Sequence, residues 1–452
     1  MTGAVTKVLV ANRGEIAVRI VRACRELGLG TVAVHSEADR DSLAVQLADE
    51  SVQIGPAPAK ASYLNIPAVV EAARARGADA VHPGYGFLSE DPDFAEICAA
   101  EGLTFVGPPS KVMALLGDKS SARAMMTDAG LPLLPGSRDD LADARDAQAL
   151  ADTIGYPVIV KAVAGGGGRG MRVVRRSEDL PRAWAETRAG ALTLFRDGRL
   201  YLERYLDSAR HVEVQVLADA HGEVVHLGTR DCSLQRRHQK LVEEGPAPAL
   251  PAELIDRIAD DAVRGVRSVG YVGAGTVEFL VGPDGEHYFM EVNCRLQVEH
   301  PVTEIVTGID LVAEQLRVAA GEPLRQHRSD VVVGGVAIEC RLNAEDPARG
   351  FVPTPGRLDE CRLPGGPFVR VDTHVHPGYQ VPSAYDSLLA KIIVWAPDRD
   401  LAIARMRGAL SEVRVTGPGI ATTAPFLREL LDHPRFRAAT HDTALVGEIV
   451  TA

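Results

Sequence analysis

The chain has 452 residues, 46% of them apolar and 24% charged, as in soluble globular proteins with about two to four domains. Forty-nine basic against 61 acidic residues give a net charge of −12, which excludes a general nucleic-acid or polyanion surface but leaves room for local basic sites. No apolar run reaches the roughly 18 residues of a membrane span and no signal-peptide pattern opens the chain; six scattered cysteines without C-x-x-C spacing argue against zinc or disulfides and for the cytoplasm.

Residues 7–34 read strand (Lys7–Ala11), helix (Glu15–Leu27), strand (Thr31–Val34). Further alternation through Ala80-Val81 and Thr104–Val106 predicts a doubly wound parallel α/β domain over about the first 115 residues. Its first turn, Asn12-Arg13-Gly14-Glu15, lacks the dinucleotide fingerprint. The turn-rich His82–Glu90 follows a strand end, where such sheets hold ligands; an ordinary βα loop is the alternative. A helix carrying Lys119 follows, and Gly130–Gly136 reads as a linker.

Beyond the linker, Tyr156–Lys161 and Met171–Val174 are strands around the run Gly165–Gly170. That run formally contains G-x-G-x-x-G, but a strand and not a helix follows it, so the nicotinamide reading fails. Strand, glycine loop, strand predicts a flap whose backbone N–H groups close over phosphates; Lys161 and Arg169 favour this over a plain linker. Residues 182–196 read as helix, Leu200–Glu203 as strand, and His211, Glu213 and Gln215 alternate along another. The densest basic stretch, Arg230–Lys240, is too short and too poor in aromatics for nucleic acid, and reads as the anion-binding wall of a nucleotide site.

The stretch Phe289–Glu304 organises the rest. At period two, Glu291, Asn293, Arg295, Gln297 and Glu299 share one side, and Val292, Cys294, Leu296 and Val298 the other. Upstream, Asp284-Gly285 is a hairpin signal; a symmetric turn pairs Val281 with Tyr288 and sets Glu278 opposite Glu291. Opposed carboxylates about 5 Å apart repel by roughly 3 kcal/mol at an effective dielectric near 20. A divalent cation removes that cost, and the nearby Asn293 amide completes a hard-oxygen set for Mg²⁺ or Mn²⁺. Two exposed glutamates on a strand edge, or one that protonates, are the alternative. An extended 291–299 segment would span about 26 Å, so the chain must bend after Asn293 for both ends to serve one site.

Residues 310–320 read as helix, Val331–Leu342 as a strand carrying Arg341, Leu388–Trp395 as a strand and Asp400–Glu412 as a helix. His374-x-His376 lacks a nearby third ligand and reads as exposed strand rather than a metal site.

Together, Ala11–Ala17, His82–Glu90, Arg230–Lys240, Glu291–Glu304 and Glu339–Asp346 resemble, in order and spacing, the biotin carboxylases of the ATP-grasp superfamily. The resemblance implies an ATP-grasp fold, α/β and α+β: an N-terminal α/β domain (1–115), an ATP-grasp region (116–325) with a mobile lid (134–206), and a C-terminal domain (326–452). It also implies phosphorylation of bicarbonate by ATP to carboxyphosphate, then capture of the released CO₂ by biotin, as one component of acetyl-CoA carboxylase. By the same resemblance, ATP is held by Lys119, Lys161, Gly167, Gly168, Met171, Glu203, Arg204, Tyr205, Leu206, His211, Gln235, His238 and Leu280. Glu278, Glu291 and Asn293 hold the metal; Lys240, Arg295, Gln297 and Val298 hold bicarbonate; Glu299 is the general base; Arg341 and Tyr85 face biotin.

The family often has threonine where Cys294 stands, glycine where Ala164 stands, and alanine or serine where Gly245 stands; Cys294 reads as a packing residue. The competing readings are a carbamoyl-phosphate-forming ATP-grasp enzyme and a catalytically silent scaffold within a carboxylase complex. No Ala-Met-Lys-Met biotinylation site occurs, and the chain ends soon after its last helices. The expected partners are therefore a separate biotin carboxyl carrier protein, carboxyltransferase subunits and a second copy of the chain.

Overall fold

The computed structural model describes residues 5–165, 168–327 and 330–451. A five-stranded parallel sheet opens the chain, with β1 (Lys7–Val10) at its centre. On one side lie β2 (Gly30–Ser36) and β3 (Glu50–Gly55), on the other β4 (Ala80–His82) and β5 (Thr104–Phe105). Strand order reverses between β1 and β4, where such sheets open a crevice at their carboxyl ends. The loops leaving these two strands are Asn12–Glu15 and His82–Glu90, and they are stitched together. Asn12 Nδ2 donates to the carbonyls of Pro83 (2.6 Å) and Tyr85 (2.7 Å). Both faces are covered: Leu9, Val32 and Val81 pack on one side, and Val8 and Val10 pack with Ile16 and Ile20 of the helix Gly14–Glu26 on the other. That is why these strands read as short continuous apolar runs and not as alternation.

Residues 134–206 contain a second, smaller unit. Strands β6 (Val158–Ala162), β7 (Met171–Val174) and β8 (Leu200–Arg204) form an antiparallel sheet ordered β7-β6-β8. Helices Ala144–Ile154 and Leu180–Phe195 pack on it around Val158, Val160, Leu180, Trp184 and Leu202. The glycine run joins β6 to β7, as the strand–loop–strand pattern predicts. Gly168 has φ +74°, and a Cβ there would lie 2.1 Å from the His238 ring, so only glycine lets the loop approach that side chain.

The third unit is an eight-stranded antiparallel sheet. Its first members are β9 (Arg210–Ala218), β10 (Val224–Arg236), β11 (Gln239–Gly245), β12 (Gly273–Val281), β13 (His287–Asn293) and β14 (Val336–Asn343). The order is β13-β12-β9-β10-β11-β14, continued by strands Leu388–Ala396 and Val369–Thr373. The β11–β14 pairing, Val242 with Cys340 and Glu243 with Glu339, makes the sheet continuous across residue 326.

Several expectations need correction. The β12–β13 turn is not symmetric: Val281 pairs with His287, not Tyr288. A bulge beside Met290 then shifts the register by one, and Glu278 does face Glu291. Regular extension stops at Asn293; residues 294–299 bend, and an unforeseen helix, His300–Thr307, follows. Arg230 is fully buried, so the basic stretch is not a single anion-binding wall. His374 is buried too, with T-shaped contact to Tyr379, and lies just past the strand that ends at Thr373.

Candidate active site

A cavity of ≈ 360 Å³ lies between the glycine-loop unit and the eight-stranded sheet. From the smaller unit and its flanks come Lys119, Lys161, Gly168 and Met171, and the segment Glu203, Arg204, Tyr205 and Leu206. The sheet supplies His211, Gln235, His238, Lys240, Glu278, Leu280, Glu291 and Asn293. The bend after β13 adds Arg295, Gln297, Val298 and Glu299, and β14 adds Arg341. Gly167 lies outside the described residues. Tyr85 lines a different cavity of ≈ 350 Å³, with Glu15, His374 and Tyr385, although it feels the Arg341 charge.

On the small-unit side, Lys161 pairs with Glu203, which also accepts from Arg123 Nη1 at 2.6 Å. Burial alone would raise the Glu203 carboxyl, but Lys161 and Arg123 hold it below its ordinary value. Lys119 opens the helix Lys119–Asp128, pairs with Glu291, and stays charged in spite of burial because of that partner. Met171, Leu280 and the neighbouring Ile159 and Met290 give this end an apolar lining suited to an aromatic base.

Opposite lies the turn between β10 and β11. Arg236 pairs with Gln239, so Arg237 and His238 form a two-residue turn with φ +48° and +67°. Such turns favour Asn or Gly, and non-glycine residues pay roughly 1–2 kcal/mol each in this region. The strained pair sits where Gln235, His238 and Lys240 enter the cavity, as strained backbone often does at functional sites. Burial, Lys161 and His211 lower the His238 imidazole, which keeps it neutral.

The floor is a buried ion network. Lys240 Nζ donates to Glu213 (2.6 Å), Glu299 (2.6 Å) and Glu278 (3.1 Å), which uses all three ammonium protons. Arg230, with no exposed surface, donates to Glu213 (2.6 Å), Gln215 (2.9 Å) and Thr303 (2.7 Å). Arg341 bridges Glu243 (2.6 Å) and Glu299 (2.9 Å). Burial works to protonate Glu299, but Lys240, Arg341 and Arg230 hold it well below the usual carboxylate range, so it is an ionised carboxylate. Glu278 is likewise held low, against burial, by Lys240 and by His211, whose Nε2 lies 3.1 Å away. Glu243 moves the other way. Burial lifts it to about 7 despite Arg341, and Glu299 adds to the rise. Glu339, directly opposite it, is pushed well above its ordinary value by burial, and neither of its oxygens has a hydrogen-bond partner.

Arg295 fans out over the bend, donating to Glu90 (2.8 Å), Gln297 Oε1 (2.8 Å) and Asn293 Oδ1 (3.3 Å). Glu90 also accepts the Cys294 N–H at 2.9 Å, so the His82–Glu90 loop braces the bend. Cys294 is 4% exposed and burial raises its thiol, in keeping with a packing residue. A Cβ on Gly245 would meet Val302 at 2.7 Å, which explains the glycine there.

The roles of Glu213, Arg230, Glu243, Glu90 and Arg123 were missed in the sequence. Glu213 had a signal: it stands two residues from His211 on the same strand face. The others depend on partners at least 80 residues away or across the sheet, as with Arg123 and Glu203.

For a metal, Glu278 and Glu291 are in register and Asn293 Nδ2 donates to Glu278 at 2.8 Å. Two carboxylates in register and a neighbouring amide, whose oxygen now accepts from Arg295, are the donor types a hard divalent cation takes. Lys119 and Lys240 neutralise these acids in the structure, so the repulsion foreseen for the bare pair is met by protein cations.

Family models match nearly the whole chain: "Biotin carboxylase, N-terminal domain" over residues 4–113, "Carbamoyl-phosphate synthase L chain, ATP binding domain" over 118–327, and "Biotin carboxylase C-terminal domain" over 339–448. A biotin carboxylase of Nostoc is 51% identical over 98% of this chain and 99% of its own. A pyruvate carboxylase subunit of Methanothermobacter thermautotrophicus is 49% identical over 98% and 90%. The biotin carboxylase domain dimer of Hydrogenobacter thermophilus 2-oxoglutarate carboxylase, solved with ADP magnesium salt, ADP and bicarbonate, superposes with a TM-score of 0.95 at 46% identity, over 99% of this chain and 98% of that one.

Proposed function

The chain belongs to the biotin carboxylase family, ATP-grasp ligases that carboxylate biotin at the expense of ATP, and on that premise we propose that it performs the first half-reaction of acetyl-CoA carboxylase on biotin carried by a separate protein. The observation that carries this reading is the convergence, on one cavity, of an ionised Glu299 with Lys240, Arg295 and Arg341.

In this reading ATP lies under the glycine loop as a lid, its base against Met171, Leu280 and the Glu203–Leu206 segment. Lys119, Lys161, His211, Gln235 and His238 hold its phosphates and ribose, with the glycine loop across the phosphates. A Mg²⁺ or Mn²⁺ ion held by Glu278, Glu291 and Asn293 supplies positive charge to the transferring phosphoryl group. Arriving phosphates draw Lys119 from Glu291 and free that carboxylate.

Bicarbonate sits against Lys240, Arg295, Gln297 and the Val298 N–H. Glu299 takes its proton as an oxygen attacks the γ-phosphorus, giving carboxyphosphate and ADP. Carboxyphosphate breaks into CO₂ and phosphate; that phosphate takes the ureido N–H proton as the nitrogen bonds to CO₂, giving carboxybiotin and hydrogen phosphate. Arg341 neutralises charge on the ureido oxygen, and Tyr85 lines the approach from the second cavity. A homodimer working in the cytoplasm with carrier and carboxyltransferase subunits completes the proposal. So does a division of the chain near residues 115 and 325.

Turnover tests it. The purified protein should release ADP in a bicarbonate-dependent reaction stimulated by free biotin, without ammonia or an amino acid. Acetyl-CoA carboxylase carrier should be a far better substrate than free biotin, because remote contacts position the ring. ADP release that needs ammonia, or preference for a pyruvate carboxylase carrier, would overturn the respective part.

A further inference from the structure

Lys391 has no exposed surface, yet it is a lysine. It lies on strand Leu388–Ala396, in register with Arg341 of β14. From that place its Nζ donates to the Val298 carbonyl at 2.9 Å. Arg341 beside it donates to the Glu299 carboxylate at 2.9 Å. Neighbouring cations on adjacent strands thus grip consecutive residues of the bend that ends in the general base. The same Nζ lies 3.0 Å from Glu15 Oε1 and 3.7 Å from Asp372. Glu15 stands in the first turn of the helix Gly14–Glu26, and it accepts a hydrogen bond from the Tyr85 hydroxyl. A continuous path therefore runs from Tyr85 through Glu15 and Lys391 to the peptide beside Glu299.

Stability does not account for these residues. Removing an ammonium and a carboxylate from water costs several kcal/mol per ion, and well-packed apolar replacements of such pairs are often neutral or stabilising. Glu15 Oε2 is left without a partner, and burial raises the carboxyl more than Lys391 lowers it, so the pair is not arranged for greatest stability. Their geometry is instead spent on two neighbours: the Val298 carbonyl and the Tyr85 hydroxyl.

We propose that Lys391 and Glu15 are a positioning pair that fixes the Val298–Glu299 peptide, and through it the set of Glu299 and of the Val298 N–H toward bicarbonate, and ties it to the Tyr85 side, where biotin approaches. The inference rests on the proposed biotin carboxylase reaction at this site. Neither residue touches substrate; both act through Val298 and Tyr85. Loss of the Lys391 hydrogen bond lets the 297–299 peptides turn, while the ATP contacts on β9, β10 and β12 keep their places.

The test is Lys391→Met, with Glu15→Gln as a second variant that keeps the shape of the side chain and removes its charge. Bicarbonate- and biotin-dependent ADP release is measured first for the unaltered protein, then for both variants, with ADP affinity and Tm alongside. Lys391→Met should raise the bicarbonate KM by about tenfold or more, the range expected for losing a charge-assisted hydrogen bond. Biotin KM should rise with it, ADP affinity should stay within about twofold, and Glu15→Gln should shift the same constants less. Unaltered protein without turnover sinks both the reaction and the pair. An active protein beside a variant with unchanged bicarbonate KM, or with ADP affinity falling in step, sinks the positioning role alone. Should Lys391→Met fail to fold, Glu15→Gln decides by the same criterion.

Discussion

The two walls of the cavity hold charge in opposite ways. On the glycine-loop side, Lys161 pairs with Glu203 inside a unit with its own small core, and Lys119 on its flank pairs with Glu291 of the facing sheet, one cavity-facing carboxylate for each lysine. On the floor, Lys240 is shared among three carboxylates and Glu299 between two cations, with Arg230 buried behind them. A phosphate can displace a carboxylate from a lysine that has one partner far more readily than from one that has three. In the proposed reaction, the upper wall would exchange partners when a nucleotide enters and the floor would keep its geometry while chemistry proceeds. Coupled networks of this kind resist single changes unevenly, because removing one member leaves the others buried and unpaired.

The largest effect should come from the floor. Glu299→Gln should lower kcat by about 10²–10⁴-fold, the usual cost of losing a general base, with ATP KM little changed. Steady-state kinetics at saturating bicarbonate decide it; a collapse of ATP affinity with kcat preserved would make Glu299 a nucleotide residue instead. At the seam between the walls, Glu291→Gln should weaken apparent Mg²⁺ affinity by roughly 10–100-fold in a folded protein, measured by metal titration of turnover. An unchanged titration would remove Glu291 from the metal set and blur the distinction between walls. The smallest effect should come from the upper wall's apolar lining. Met171→Ala deletes contact area on a half-buried side chain, so ATP KM should rise by only about three- to tenfold with bicarbonate KM unmoved. A bicarbonate KM that moved with it would show that the walls act as one.

Much of this was legible in residue order. The Asp284-Gly285 turn and period-two alternation placed Glu278 opposite Glu291, and the strand after the glycine run, where a dinucleotide turn needs a helix, is present. Those are local properties: turn chemistry and side-chain period depend on neighbours within a few residues. The bulge at Met290 has no signature in residue order, and a symmetric turn reaches the Glu278–Glu291 pairing only because its one extra turn residue offsets that bulge. The bend after Asn293 was required by length, but the helix His300–Thr307 that anchors it was not foreseen. Arg230 and Lys240 lie in one basic run, yet one is a buried strut and the other faces the cavity. Lys391 looked like any lysine on an apolar strand until Glu15 and Val298, at least 93 residues away in sequence, came to meet it. Sequence determined which elements form and which faces they present. Only the tertiary structure decided which charges are buried and what they hold, because burial and ion pairing are set by the strands and helices that become neighbours, and local order carries no record of them.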